Sequence, residues 1–495
     1  MCVGGVWMEP RLTSFSLWMK RLMLAVFLLL ALDVLYLVLT RGSAYRQDLL
    51  LGAACAAAAV LLLPAVTPLL ERLGPLRLWL ALSLLCLAVK GAWILLVRVP
   101  VEGDYLVFWD YAGFLADTET LTNGRYIALF PHIFGYSSFL SWFVRLFGAG
   151  ELLAPWLNVA LSLCAGSLLF QLGRRWFSLG AGAAAYLFWT ACPSQTMYNS
   201  LVLSEPLYTA LILAFLLLMT ELECRTGRLR RPALAGAAAG LGGALLLRWV
   251  NGVRPIAAIL LIAAFLWVLL LNARRLAERE WRGVWLPFLA ALTAAYLLTG
   301  PLWSGHIARR IGEEPSSTPG YSVLVGFNGD SGGQWNWEDS SRLFAYSDIP
   351  GSTAQEVQER MLDDALARIT SGQIDFPALI QDKLRTFLGS DDACVGYSSA
   401  ALGHVRRYTL LCNGFYDACL LLALAGAVRL WRRGSGTPAL LAPLYVLGLT
   451  SAQLLVEVAG RYHYSLLPML ILMAQAAVPE RPVRWPRLQK KEGTR

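Results

Sequence analysis

Charge is what this chain is short of. Asp, Glu, Lys and Arg make up only 15% of its 495 residues, against 57% hydrophobic residues and a mean hydropathy of +0.54. So little charge excludes a soluble globular protein of this size. The long apolar stretches lack polar–apolar alternation, which excludes a transmembrane β-barrel. The nine cysteines show no CxxC and no Cys/His spacing, so no metal or redox motif is visible. Most lie inside apolar runs (Cys55, Cys86, Cys164, Cys419) and read as small core residues. Cys394 and Cys412 are placed where they could approach one another outside the membrane, and a disulfide there is one option. No basic stripe with interleaved aromatics accompanies the net charge of +9, which argues against nucleic acid. No internal repeat stands out, which weakens an inverted-repeat transporter reading.

What is present is a series of apolar runs, each long enough to cross a bilayer as a helix that satisfies its own backbone hydrogen bonds. They fall at residues 22–39, 49–70, 76–97, 152–172, 179–198, 200–220, 233–250, 255–271, 284–303, 408–428, 438–456 and 462–478. The expected fold is therefore an all-α polytopic membrane protein of about twelve helices. The first run could be a signal peptide, since Gly42-Ser43-Ala44 follows it, but its length and Asp33 favour a retained anchor. Arginines gather in alternate short connections: Arg72 and Arg77; Arg174 and Arg175; Arg225 to Arg231; Arg274 to Arg282; Arg429 to Arg433. One orientation satisfies this bias, with both termini cytoplasmic and the basic tail 479–495 touching anionic lipid.

That orientation puts two long segments, 98–151 and 304–407, on the outer face. The first has an aromatic, interfacial character from Trp109, Phe114, Phe130, Tyr136, Phe139, Trp142 and Phe143. The second begins with a loop rich in Gly, Asn, Asp and Trp, GFNGDSGGQWNWED at 326–339. Two short helices, 353–370 and 376–388, should follow it.

Four constellations could carry chemistry. Glu102, Asp104 and Asp110 crowd together just past the third run, and crowded carboxylates hold protons more readily, as a general base must. An ordinary solvated loop acid is the plain alternative for Asp104. Glu205, in NSLVLSEP, should lie roughly 7 Å inside the sixth helix, where an acid faces protein or a polar cavity. Arg254, in VNGVRPIAAILL, precedes a helix start and suits a phosphate, although an interfacial arginine snorkelling to headgroups reads equally well. The last outer connection, EVAGRYHY, brings Arg461, Tyr462 and His463 together at a helix start, a set suited to phosphate or sugar. Separately, Asp33 and Lys90 should meet as an ion pair joining the first and third helices.

These stretches resemble bacterial members of the C-type integral-membrane glycosyltransferase superfamily, in the branch of protein O-mannosyltransferases and lipid A aminoarabinose transferases. The resemblance spans roughly residues 76–478. It rests on GDYLVFWDYAGFLA, FPHIFGYSSFLSWFVRLFG, LVLSEPLYTALIL, VRPIAAILL and GRYHYSLLPMLILMA, in that order. It implies an inverting transfer of a sugar from a polyprenyl-phosphate carrier to a glycan, lipid or protein acceptor on the outer face. By similarity Asp104 is the general base, supported by Glu102, Asp110 and Glu205. Arg254, Arg461, Tyr462 and His463 would hold the donor phosphate. Asn328, Asp330, Trp335 and Asn336 would contact the acceptor or its sugar. Some relatives bind a divalent metal ion, which the acids here permit without demanding. The implied organisation is two accessory helices (1–75), a catalytic membrane core (76–303), an outer region (304–407), the last membrane helices (408–478) and the tail. The first two helices are additional to the family's usual start, and the outer region is shorter than some relatives' soluble domains. A lipid-linked saccharide flippase or transporter is the alternative from another class, and a non-catalytic assembly subunit a third.

Overall fold

In the computed structural model residues 8–118, 120–433 and 438–477 are described, with side chains from Thr13 onward except that of Asp104. No strand occurs among the described residues. The basic tail expected at 479–495 lies outside them. In chain order the helices are α1 (Met8–Thr40), α2 (Ser43–Glu71), α3 (Pro75–Leu96), α4 (Asp104–Asp117), α5 (Arg125–Leu129), α6 (His132–Phe147) and α7 (Leu153–Trp176). Next come α8 (Leu179–Ala191), α9 (Pro193–Met197), α10 (Glu205–Arg225), α11 (Pro232–Val253), α12 (Ala257–Leu266) and α13 (Arg279–Ile311). The rest are α14 (Gly320–Gly326), α15 (Trp337–Ser347), α16 (Ala354–Thr370), α17 (Phe376–Leu388), α18 (Ala393–Ser398), α19 (Val405–Arg433), α20 (Leu441–Leu455) and α21 (Leu467–Gln475).

Among the described residues nine helices are long and apolar enough to cross a membrane, and each coincides with one of the expected runs. The chain is a multi-pass membrane protein. The other three runs are shorter or broken. α8 stops at Ala191, ahead of a buried irregular stretch. α12 ends in a π-helical turn, Trp267–Leu271, and α21 has only nine residues.

Helix packing is set by small residues, as expected where lipid supplies no hydrophobic drive between helices. α11 lies against α13 so closely that a Cβ on Gly236 would sit 2.1 Å from the Val284 carbonyl oxygen, and one on Gly240 2.5 Å from that of Phe288. α2 meets α19 in the same way: a Cβ on Gly52 would come within 2.6 Å of the Asp417 Cβ. There Asp48 pairs with Arg406, whose guanidinium reaches both carboxylate oxygens (2.6 and 3.1 Å). The first two helices are thus packed into the bundle. The expected Asp33–Lys90 pair does not form. Lys90 is fully buried, donates to the Thr196 hydroxyl at 3.3 Å and lies over the Trp189 ring.

The connections 97–103, 192–204, 254–256, 312–404 and 456–466 all collect at one end of the bundle. Backbone hydrogen bonds join 312–404 to 456–466 (Glu457 N–H to Ser322 and Val458 to Gly333) and to residues 121–128 (Ser316 N–H to Ala128, with Leu121 N–H to Arg310), and the Ser200 hydroxyl donates to the Val97 carbonyl at 3.0 Å. A second, smaller hydrophobic core fills this end, built from Ile127, Phe134, Ile307, Leu324, Val357, Met361 and their neighbours. The arginine-rich links lie at the other end. α16 and α17 match the expected short helices, and α16 opens with a capping box of Thr353 and Glu356. Cys394 and Cys412 do approach, both buried, with sulfurs 3.9 Å apart and thiols free.

Candidate functional site

The acidic stretch after the third span is not a loop but the start of α4. Gly103, at φ 56°, turns the chain in the left-handed region that a side chain would oppose, and Asp104 is the first helical residue. The Asp104 side chain lies outside the described residues. Its neighbour Tyr105 is buried, with its ring edge-to-face against Tyr397 at 5.4 Å. Burial pushes the Tyr105 phenol well above its ordinary value, against the opposing pull of Arg461. Glu102 and Asp110 are both exposed.

Glu205 is the first residue of α10 rather than a residue inside a span, because Leu201 to Ser204 run irregularly and Pro206 fits only the first turn. It is nevertheless 2% exposed. Its Oε1 lies 3.8 Å from the Arg461 Nε, and the Ser204 hydroxyl donates to its other oxygen at 3.4 Å.

Arg461 stands at the centre of the cluster. Its guanidinium is 5.9 Å from the Tyr105 ring centre and 5.7 Å from those of Tyr397 and Tyr462. Arg254, which caps the C-terminus of α11, lays its guanidinium on the other neighbour of that ring set, 3.8 Å from the Tyr462 centre. Two guanidinium groups therefore share one tyrosine. The Tyr462 hydroxyl donates to Glu457 at 3.2 Å, and burial pushes its phenol up to about 12. α4, α10, α11, α18 and the 3₁₀ turn Gly460–His463 thus converge on one spot, with two cations, a buried carboxylate and an aromatic wall. Such a place can receive an anionic group and hold it away from water.

His463 does not join them. In a 3₁₀ turn, with three residues per turn, side chains two apart point in different directions. Its Nδ1 faces the Phe387 carbonyl oxygen at 2.7 Å and its Nε2 faces Asp391 at 2.9 Å. Asp391 also accepts from the Ser194 hydroxyl, and all three side chains are buried.

The outer-loop residues split into two groups. Asn328 and Asn336 give their amides to the fully buried Asp339 (3.0 and 2.9 Å), which also takes two bonds from Arg368 (3.0 and 2.7 Å). Burial alone would raise the Asp339 carboxyl, but hydrogen bonds from Arg368, Asn336 and Asn328 outweigh it and hold it below the usual range. Asp330 and Trp335 are exposed. Among the described residues no three His, Cys, Asp or Glu side chains converge as metal ligands.

Sequence reasoning missed Tyr105 and Tyr397. Tyr105 had a signal, since it follows the proposed base directly; nothing in the sequence marked Tyr397.

No family model matches the chain, and no curated protein does. Among the solved structures similar to the chain are ArnT from Cupriavidus metallidurans bound to undecaprenyl phosphate, and the same protein in the apo state. Both are 15% identical with a TM-score of 0.30, covering 82% and 81% of this chain and 78% and 77% of theirs.

Proposed function

We propose that the chain is a membrane glycosyltransferase that transfers a sugar from a polyprenyl-phosphate carrier to a hydroxyl acceptor with inversion. The observation that carries this is the Arg254–Tyr462–Arg461 stack beside buried Glu205, one residue away from Asp104 through Tyr105. Two guanidiniums on one ring are suited to a phosphate diester, and the lipid tail of such a donor can remain in the bilayer. The motif order quoted above supports the same reading.

In this reading the acceptor oxygen attacks the anomeric carbon while Asp104 takes its proton. The bond from that carbon to the phosphate oxygen breaks, and the phosphate leaves with the electron pair. Arg254 and Arg461 stabilise the negative charge that accumulates there. Glu205 balances Arg461 and lines the acceptor side, with Glu102 and Asp110 at the exposed rim. His463 acts behind the site by holding the turn that presents Arg461 and Tyr462. In this reading the site end is extracytoplasmic and both termini cytoplasmic, which the arginine distribution supports. Residues 76–303 form the catalytic core, and 1–75 an accessory pair.

The test is transfer from a panel of polyprenyl-phosphate sugars to membrane acceptors by purified protein, wild type beside Asp104→Asn. Transfer by wild type and its loss by at least 100-fold in Asp104→Asn is the expected result. Undiminished transfer by Asp104→Asn removes the base, and no transfer from any donor removes the reading.

A further inference from the structure

The outer segment exposes large aromatic side chains on a rigid support. Trp335 is 60% exposed, Trp337 67% and Phe344 43%. Trp337 and Phe344, seven residues apart, lie on one face of α15 with ring centres 6.5 Å apart. The backbone below them is firmly held. Asn336 caps α15 by accepting from the Asp339 N–H at 2.9 Å, and Asp339 sits in the four-bond cradle of Arg368, Asn328 and Asn336. Gly332 and Gly333 take the left-handed conformation (φ 61° and 75°) that leads the chain into Trp335. The Gly333 carbonyl accepts from the Val458 N–H at 2.9 Å, so this ledge is joined to the segment that leads directly into the 3₁₀ turn carrying Arg461.

We propose that this ledge is a binding platform for a neutral, hydroxyl-rich glycan, with Trp335, Trp337 and Phe344 as its stacking surface. The proposal deepens the transferase reading by assigning the acceptor class, and rests on it only for that assignment. Rigid aromatic rings offer a large contact area at low conformational cost, which suits the flat apolar face of a sugar ring. The polar groups around them are mainly acceptors: Asp330, Glu338 and Asp348 are exposed, and Gln334 adds an amide. The cations around them are already engaged: Arg342 is drawn to Glu338 and Asp364 at 3.4 Å, Arg368 is bound to Asp339, Arg385 to Asp382, and Lys383 donates to three carbonyl oxygens. Carboxylates accept from sugar hydroxyls. They repel phosphate and sulfate, and a lipid-facing aromatic girdle would instead be flanked by Lys and Arg. The charge therefore selects an uncharged glycan over an anionic headgroup. Asn328 and Asn336 serve as the support, and the contacts move to the exposed rings.

The experiment uses the full chain in nanodiscs without any donor lipid, probed with an array of neutral hexose oligosaccharides. Wild type should bind at least one of them. The double variant Trp335→Ala/Trp337→Ala should bind at least tenfold more weakly with an unchanged melting temperature, because both side chains are exposed. Absence of binding by wild type, or equal binding by the double variant, overturns the platform. So does quenching by brominated phosphatidylcholine that Trp335→Phe/Trp337→Phe abolishes, which would place the rings in lipid. Since this assay contains no donor, it is independent of transfer: glycan binding here, together with no transfer from any donor in the panel above, would sink the catalytic reading alone. Normal transfer by the double variant, with its acceptor affinity intact, would sink the platform alone.

Discussion

Arg461→Met separates the structural from the functional use of the central cation. Arg461 and Glu205 are 3.8 Å apart, with side chains 13% and 3% exposed. At an effective dielectric of about 20 their attraction is about 4 kcal/mol, most of which Glu205 needs to offset its own desolvation. Removing Arg461 leaves Glu205 with the long Ser204 contact and the more remote charge of Arg254, so the variant should lose about 3 kcal/mol. Glu205→Gln should cost less, about 1 kcal/mol, because Arg461 keeps three tyrosine faces. The double variant should then lie near Glu205→Gln rather than at the sum of the two losses. Binding must behave differently. Losing a charge-assisted contact to phosphate is worth roughly 1.5–3 kcal/mol, or about 10- to 150-fold in affinity for polyprenyl phosphate. The double variant should not recover it. Thermal unfolding in micelles gives the stability order, and equilibrium binding of a fluorescent polyprenyl phosphate gives the affinity. Additive stability losses would refute the buried pair. Unchanged lipid affinity in Arg461→Met would refute the phosphate site.

Other expectations follow from the packing and polar networks. Gly240→Leu should prevent α11 from docking on α13, since even a Cβ there would sit 2.5 Å from the Phe288 carbonyl oxygen; retained monodisperse protein would contradict this. Lys383 donates to the carbonyls of Gly326, Leu454 and Val456 at 2.7–2.9 Å, so Lys383→Met should strand one buried and two half-buried acceptors and cost about 2 kcal/mol or more, read by thermal melting. Burial also lowers the Lys383 ammonium to about 8 from an ordinary 10.5. Between those values the unfolded chain holds a proton that the folded chain has released. This group's contribution to stability therefore rises with pH across the window, and Lys383→Met should flatten that slope.

The membrane helices were legible because lipid forces each apolar run to satisfy its own backbone, so composition alone marked nine of them. α16 was legible from its capping residues. The ends were harder to read. Hydropathy carried the sixth span back to residue 200, but Pro206 can only occupy a first turn, and that cue places Glu205 at the helix start. Arg461 and His463 looked like one group because they are neighbours in the chain. The tight turn Gly460–His463 sends one toward Glu205 and the other toward Asp391. Asn328 and Asn336 looked free to meet a ligand, because their shared acceptor Asp339 is held inward by Arg368, which lies about thirty residues further on, on a separate helix. Side-chain direction and long-range pairing are properties of the packed chain, and no local pattern encodes them.

The Ser194–Asp391–His463 group allows a proton count that leads to a last prediction. The Phe387 carbonyl only accepts, so His463 Nδ1 carries hydrogen. Ser194 spends its hydroxyl hydrogen on one Asp391 oxygen, and the remaining contact, His463 Nε2 to the other oxygen, holds a single shared proton. Either the ring is charged and Asp391 ionised, or both are neutral; the number of hydrogens is the same. Asp391→Asn preserves this count: its amide nitrogen donates to Nε2 and its oxygen accepts from Ser194. Asp391→Leu removes both partners and strands two buried polar groups at about 1–3 kcal/mol each. The Asn variant should therefore melt close to wild type and keep its affinity for polyprenyl phosphate, while the Leu variant loses stability and, through the displaced 460–463 turn, affinity as well. If Asn and Leu are equally damaging, the site needs the Asp391 charge itself, and the group does more than hold the turn.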